Sequence, residues 1–153
     1  MGKLKLKPSK CSLFERKVAF LGHTISAKGI EMQEEQLSAV VNWPVPRDLA
    51  DLRSFVGLCS YYRRFIPGFA TIAAPLHALP GKGVRLEWKE EQQHAFEQLK
   101  TKLTTAPVLA MPDNEGQYIL DTDASEIGLG AVLSQVQDGV ERVLAYASRT
   151  LQK

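Results

Sequence analysis

The sequence predicts an α+β fold in three successive parts: a β-hairpin, a bundle of short helices and a three-stranded antiparallel sheet. Residues 17–30 alternate apolar and polar side chains, as the strands of a hairpin do. From Glu34 onward, apolar residues recur at helical spacing, and prolines divide this region into short pieces. After residue 116 the alternation of a strand returns in three runs, the last two joined by the two-residue turn Asp138-Gly139. The three runs are Tyr118–Asp123, Gly128–Val136 and Val140–Ser148.

The first two helices are bounded by clear signals. The first begins at Glu34 and must end before Pro44, because proline restricts the residue that precedes it. Asp48 is a good N-cap for the second helix, since its carboxylate can accept hydrogen bonds from the amides of the first turn. The helical pattern continues through Tyr61–Ile66 and stops at Pro67-Gly68.

Two further helical segments follow. The third covers residues 69–79, is interrupted by Pro75 and leads into a linker over residues 80–87. The fourth is amphipathic and ends at Pro107. Its apolar stripe is formed by Ala95, Phe96, Leu99 and Leu103.

Length and composition exclude several classes of protein. The chain has 153 residues, of which 44% are hydrophobic and 24% are charged, so intrinsic disorder, collagen-like repeats and a disulfide scaffold are excluded. No apolar run approaches the ~18 residues of a membrane-spanning helix, and Met1–Lys7 has no signal-peptide core. We therefore expect no membrane partner. Cys11 and Cys59 predict reduced thiols in a cytosolic-type compartment.

Charge is distributed unevenly along the chain although the net charge is only +2. Residues 1–30 carry seven basic side chains and one acidic one, and residues 61–90 carry five basic and two acidic ones. Residues 91–153 are acidic, with nine carboxylates against five basic groups. Two separate basic stretches favour a polyanionic partner, because phosphates are neutralised by local charge. A solvated surface is the alternative for the Lys-rich terminus.

An acidic motif lies at the end of the first strand of the predicted sheet. Asp121 and Asp123 face the same side of a strand and could meet one hard cation such as Mg²⁺. The alternative is that the pair only caps the turn. A two-metal site needs about three or four acidic ligands, and no other carboxylate converges obviously on this pair.

The segment Ser60–Ile66 interleaves aromatic residues with the paired arginines Arg63 and Arg64. Arginine binds phosphates with two hydrogen bonds and tyrosine packs against sugars, so the segment suits a nucleic-acid backbone. The alternative is an amphipathic core segment, in which Tyr62, Phe65 and Ile66 continue the apolar stripe of the second helix.

The chain resembles the Pol polyprotein of gypsy-type LTR retrotransposons in an ordered series of short motifs that covers nearly its whole length. The motifs are Lys7-Pro8-Ser9-Lys10-Cys11, Phe20–Ser26, Leu52–Leu58, Tyr61–Ile66, Ala74-Pro75-Leu76, Phe96–Lys100, Ala106–Leu109 and Thr122–Ser125. Each is modest alone, but together they are specific.

The resemblance implies four parts. Residues 1–31 would be the end of the polymerase palm, whose turn Leu21-Gly22-His23 grips the primer. Residues 32–80 would be the helical thumb, with Tyr61, Tyr62, Arg63 and Arg64 at the nucleic acid. Residues 81–116 would be the connecting helix and linker. Residues 117–153 would be the truncated N-terminal part of a ribonuclease H-like domain, where Asp123 matches the first carboxylate that binds Mg²⁺ in the complete domain.

The family's other catalytic carboxylates have no counterpart in this sequence. We therefore expect neither polymerase nor ribonuclease H activity from this chain alone, with Mg²⁺ a cofactor of the full-length parent and no cofactor for this chain. The resemblance implies an RNA–DNA or DNA template–primer duplex and the remainder of the Pol polyprotein as partners. It also implies a cytoplasmic location, with virus-like particles or the nucleus as alternatives.

A different class of function remains open at the level of the sequence. A domesticated module derived from a retroelement would bind another protein and no longer bind nucleic acid. An incomplete sheet would leave an apolar face that seeks a partner or self-associates. We expect that face at Val132, Leu133, Val143 and Leu144.

Overall fold

The structure is a computed structural model that describes residues 5–77 and 86–151. The end of the predicted third helix, residues 78–79, lies outside the described residues. The same holds for most of the predicted linker, residues 80–85. The observed architecture is the predicted α+β class: one three-stranded sheet, a group of helices and a second three-stranded sheet.

The predicted hairpin is present and is extended by a third strand. Strands β1 (Lys17–Phe20), β2 (His23–Ser26) and β3 (Gly29–Met32) form an antiparallel sheet in chain order. The third strand forms because the chain turns again at Ala27-Lys28 and pairs Gly29 with Ser26. The predicted boundary at residue 31 therefore falls inside a strand.

Within the described residues, four α-helices and one short 3₁₀ helix follow. They are α1 (Glu34–Val41), α2 (Leu49–Tyr61), the 3₁₀ helix Arg63–Phe65, α3 (Phe69–His77) and α4 (Glu90–Thr104). The capping prediction is confirmed: Asp48 Oδ1 accepts hydrogen bonds from the amides of Ala50 and Asp51, both at 2.8 Å.

The predicted interruption at Pro75 is wrong, because α3 continues through it. Proline removes the hydrogen bond to the carbonyl four residues earlier, which belongs to Thr71. Thr71 is exposed, so water can replace the missing partner.

The helices share one apolar core. Its centre is the contact between Phe55 of α2 and Phe96 of α4, whose ring centroids lie 4.5 Å apart. Lys100 of α4 donates to the carbonyl oxygen of Trp43 at 3.0 Å and so satisfies a backbone group where α1 ends. The fully buried residues include Leu52, Phe55, Cys59, Tyr62, Phe65, Ile66, Leu76, Phe96, Leu99, Leu103 and Leu109.

The second sheet matches the prediction closely. It consists of β4 (Tyr118–Ala124), β5 (Gly128–Gln137) and β6 (Val140–Thr150), antiparallel and in chain order. The turn Asp138-Gly139 joins β5 to β6, and both residues have positive φ, 52° and 74°. That combination is the preferred two-residue hairpin turn.

One extended segment connects the two sheets. The amide and carbonyl of Leu109 bond to the carbonyl and amide of Ile30 in β3, with N···O distances of 2.9 and 2.7 Å. The next amide, from Ala110, donates to the carbonyl of Val143 in β6 at 2.8 Å. A Cβ at Gly29 would overlap the carbonyl of Leu109, so only glycine allows this approach.

The expected location of an apolar sheet face is only partly correct. A bulge opposite Leu133 and Ser134 shifts the register of β6. Leu144 is the extra residue at the bulge and is only 4% exposed, and its neighbour Val143 packs against the core. The face that remains uncovered carries Leu120, Leu129 and Leu133. Across the described ranges, no helix is long and apolar enough to cross a membrane.

Candidate nucleic-acid interface

The turn Leu21-Gly22-His23 is held rigidly by its neighbours. Leu21 and Gly22 both have positive φ, 47° and 75°, and link β1 to β2 in a two-residue turn. The carbonyl of Gly22 accepts hydrogen bonds from the amide of Gln33 at 3.0 Å and from the hydroxyl of Tyr62 at 2.7 Å. The carbonyl of Leu21 accepts one from the hydroxyl of Tyr61 at 2.6 Å. Two motifs 40 residues apart in the sequence thus form one unit.

The side chain of His23 packs against three aromatic rings beside this turn. Its ring lies 5.4 Å from that of Tyr61, 5.2 Å from that of Tyr62 and 5.7 Å from that of Phe65, measured between centroids. Nδ1 lies 2.9 Å from the carbonyl oxygen of Leu21, which only accepts, so Nδ1 carries the proton. Nε2 is buried and has no hydrogen-bond partner among the described residues. The imidazole therefore packs against the three aromatic rings and donates a hydrogen bond from Nδ1 to the carbonyl of Leu21 in the turn.

The two tyrosines differ in exposure. Tyr62 is 1% exposed, whereas Tyr61 is 52% exposed. Burial, with a smaller contribution from the neighbouring Tyr61, raises the pKa of the Tyr62 phenol, so the hydroxyl stays a donor. Tyr62 therefore acts through the turn that it holds, in agreement with the core alternative for this segment. Tyr61 and Leu21, which is 70% exposed, form the accessible surface.

The paired arginines have different surroundings. Arg64 is half-buried and donates from Nη2 to the carbonyl of Leu144 in β6 at 3.1 Å. That bond ties the 3₁₀ helix to the second sheet. Arg63 is exposed and forms no ion pair within the described part of the chain. Of the two guanidinium groups, Arg63 is thus the one that is available to a phosphate.

Asp123 lies on β4 opposite Gly130 of β5, and its side chain is exposed. Asp121 shares its face because side chains alternate along a strand. Within residues 5–77 and 86–151 no three His, Cys, Asp or Glu residues are grouped closely enough to hold a metal ion. The residues present do not fit a Mg²⁺ site, and we assign no metal-dependent step to this chain.

Sequence reasoning identified the members of this surface but missed how they connect. The hydroxyl bonds from Tyr61 and Tyr62 to the turn, and the bond from Arg64 to β6, join residues 40 and 80 positions apart. No local pattern signals such contacts.

Comparison with sequences of known proteins identifies the relatives of this chain. Residues 88–153 match the RNase H-like domain found in reverse transcriptase. The Pol polyprotein of Drosophila melanogaster transposon 412 is 43% identical over 150 residues, which are 98% of this chain and 12% of that protein. The Pol polyprotein of Drosophila transposon 297 is 39% identical over 149 residues, 97% of this chain and 14% of that protein. The Tf2-3 polyprotein of Schizosaccharomyces pombe is 38% identical over 135 residues, 88% of this chain and 10% of that protein.

Solved structures give a concordant result. The foamy viral protease-reverse transcriptase in complex with RNA/DNA hybrid has a TM-score of 0.79 and 29% sequence identity, covering 94% of this chain and 20% of that one. A foamy viral protease-reverse transcriptase dRH in complex with ds DNA also has a TM-score of 0.79 and 29% identity, covering 89% of this chain and 24% of that one.

The chain therefore spans between a tenth and a seventh of the length of these curated relatives. The polypeptide described above is similar over nearly its whole length to transposon Pol polyproteins, and its residues 88–153 match the RNase H-like domain found in reverse transcriptase.

Proposed function

We propose that this chain is a segment of a gypsy-type LTR retrotransposon reverse transcriptase that holds the template–primer duplex and has no complete active site of its own. The observation that carries the proposal is the rigid turn at Leu21-Gly22-His23. Hydroxyls from Tyr61 and Tyr62 fix its backbone, and preorganised contacts bind with less loss of entropy than mobile ones.

The accessible groups on this surface suit a sugar-phosphate backbone. Leu21 and Tyr61 offer apolar contact area to sugars, and Arg63 offers a fork of donors to a phosphate. Contacts of this kind read shape and charge, so binding would not depend on base sequence. The foamy viral relatives, whose structures contain ds DNA and RNA/DNA hybrid, support this partner.

The remaining features of the proposal concern the parent protein. We propose that Mg²⁺ serves the complete ribonuclease H domain, in which Asp123 would be the first metal-binding carboxylate. The remainder of the Pol polyprotein would be a partner, in the cytoplasm or in virus-like particles. The chain alone would bind a hybrid duplex without cleaving it.

A binding titration with a matched pair of variants tests the proposal. Fluorescence anisotropy of a labelled RNA–DNA hybrid gives Kd for the wild type, Arg63→Gln and Arg53→Gln. Arg53 is also exposed but lies on α2. We expect Arg63→Gln to raise Kd about 5-fold and lower the salt slope by about 1, equally for different duplex sequences. Equal Kd values for the two variants would contradict the role of Arg63.

The alternative of a protein-interaction module is favoured by one observation. The uncovered face of the second sheet carries Leu120, which is 64% exposed, together with Leu129 and Leu133. Exposed apolar faces mark protein interfaces or self-association. Light scattering at high protein concentration tests it: a monomer that binds no hydrophobic dye would contradict this function, and a dimer without any hybrid binding would favour it.

A further inference from the structure

The 3₁₀ helix Arg63–Phe65 places two consecutive arginines in different surroundings. Arg63 is exposed, whereas Arg64 is half-buried and donates from Nη2 to the carbonyl of Leu144 in β6 at 3.1 Å. The helix is a single turn, closed by the amide of Ile66, which donates to the carbonyl of Arg63 at 3.0 Å. The two arginines are joined by one planar peptide bond, so a displacement of Arg64 also moves the backbone of Arg63.

The neighbours of Arg63 along the chain are fixed by the helical core. Tyr62 is 1% exposed, and its hydroxyl is hydrogen-bonded to the turn between β1 and β2. Phe65 is equally buried. Within residues 62–66, Arg63 alone has an exposed side chain. Its backbone is therefore held by the core and, through Arg64, by the second sheet.

One hydrogen bond connects Arg64 to the second sheet within the part of the chain that the structure describes. Nε of Arg64 is buried and has no hydrogen-bond partner there, and the guanidinium forms no ion pair with a described residue. The acceptor belongs to the extra residue at the bulge of β6. A bulge leaves its extra residue unpaired in the ladder, which frees the carbonyl of Leu144 for this bond. Removing the one donor therefore removes the link.

We propose that Arg64 is a positioning residue, which orients Arg63 toward a phosphate of the duplex by tying the 3₁₀ helix to the bulge of β6. The proposal rests on the proposed function, in which Arg63 is the phosphate contact. An Arg63 backbone that is already held in place loses less conformational freedom when its guanidinium binds. Because linkage is reciprocal, bound duplex in turn stabilises the contact between the 3₁₀ helix and β6.

A double-mutant cycle on the full chain tests whether Arg64 acts through Arg63. Fluorescence anisotropy of the labelled RNA–DNA hybrid gives Kd for Arg64→Met, Arg63→Gln and the double variant. We expect Arg64→Met to raise Kd about 3-fold, because the ordering of Arg63 is lost, and Arg63→Gln to raise it about 5-fold. The double variant should also raise it about 5-fold, since Arg64 has nothing to position once the Arg63 guanidinium is absent.

Two further variants control for stability and for the donor. Ser148→Ala removes another hydrogen bond between a helix and the second sheet, from the amide of Ala70 at 2.8 Å, and leaves the Arg64 bond intact. Its Kd should stay within about twofold of the wild type. Arg64→Lys retains a donor and should also stay within about twofold. Circular dichroism shows that each variant is folded.

The outcomes separate the positioning role from the duplex function. If the double variant raises Kd about 15-fold, the two arginines contribute independently and the positioning role is wrong. If Arg63→Gln weakens binding but Arg64→Met does not, the positioning role is wrong and the duplex function stands. If the wild type does not bind the hybrid at any salt concentration, both are wrong.

Hydrogen exchange of the wild-type chain measures the reciprocal effect without a substitution. Backbone amides of residues 142–146, around the bulge, should exchange more slowly when saturating hybrid is bound. In Arg64→Met this protection should disappear while the hybrid is still bound. Unchanged exchange of residues 142–146 on binding, or protection that persists in Arg64→Met, would overturn the proposal.

Discussion

Replacement of Gly22 by alanine tests the interlock between the turn and the tyrosines. Gly22 has a φ of +75°, and a Cβ at this position would lie 2.6 Å from the hydroxyl oxygen of Tyr62. Alanine in left-handed backbone costs about 1–2 kcal/mol. Displacement of the Tyr62 hydroxyl, which is hydrogen-bonded to the Gly22 carbonyl, costs about 1 kcal/mol more. We expect Gly22→Ala to lower the free energy of unfolding by about 2–3 kcal/mol.

Gly139 is a matched control for the backbone cost. It has a φ of +74° in a similar turn, and a Cβ there would meet no atom within 4 Å. Gly139→Ala should therefore cost only the about 1–2 kcal/mol of the backbone. Urea unfolding followed by circular dichroism gives both values. The free energy of unfolding falls by about 2 kcal/mol per molar urea, so the difference of about 1 kcal/mol between the two variants corresponds to a difference of about 0.5 M between their unfolding midpoints.

A double-mutant cycle isolates the contact. In a Tyr62→Phe background the hydroxyl is absent, so Gly22→Ala should cost the same as Gly139→Ala. The coupling between positions 22 and 62 should then be about 1 kcal/mol. If Gly22→Ala and Gly139→Ala cost the same in the wild-type background, the turn is not held by Tyr62 and the reasoning fails.

Three other predictions concern the bond between the 3₁₀ helix and the second sheet, a buried thiol and a helix cap. Arg64→Met should lower the free energy of unfolding in urea by about 2 kcal/mol, since the carbonyl of buried Leu144 loses a charged donor; no change would contradict that link. Burial, slightly offset by a backbone hydrogen bond, raises the pKa of Cys59 from 9.0 to about 12, so iodoacetamide should label only Cys11 in the native chain at pH 8. The unfolded thiol ionises near pH 9, so the stabilisation from burying Cys59 in its protonated form is present below pH 9 and is lost as pH rises toward 12. If Cys59→Ala shows the same dependence of the free energy of unfolding on alkaline pH, this reasoning is refuted. Asp48→Ala should cost about 1 kcal/mol in the same urea assay because two amides of α2 lose their cap, and an unchanged midpoint would contradict the cap.

Local chemistry explains why parts of the fold were predictable. The turn Asp138-Gly139 and the cap Asp48 depend on residues within three positions of each other, so their patterns can be read directly from the sequence. The apolar stripe Ala95, Phe96, Leu99 and Leu103 likewise repeats at helical spacing, and all four side chains are buried.

The parts that were not predicted depend on distant contacts. Pro75 normally ends a helix, yet α3 continues because the carbonyl that loses its partner belongs to an exposed residue. Leu144 is buried at a bulge in β6, and its backbone carbonyl accepts a hydrogen bond from Arg64, 80 positions away. The expected open face includes Leu144 because its apolar character is visible in the sequence, whereas the elements that cover it are not.

In the candidate site, too, local motifs were predictable and contacts between distant residues were not. The motifs predict that Leu21-Gly22-His23, Tyr61 and Arg63 bind nucleic acid. The sequence cannot show that a tyrosine hydroxyl donates a hydrogen bond to a turn 40 residues earlier. The aromatic and arginine pattern of residues 60–66 and the family resemblance predict Tyr62 at the nucleic acid. The structure instead buries its ring and commits its hydroxyl to Gly22.

Binding of the wild-type chain to a labelled RNA–DNA hybrid, titrated over a range of salt with and without Mg²⁺, tests the central claim most directly. We expect saturable binding that weakens as salt increases, with no cleavage of the RNA strand under either condition. Absence of binding at every salt concentration would contradict the proposed duplex-holding function, and Mg²⁺-dependent cleavage would contradict the proposal that this chain has no complete active site.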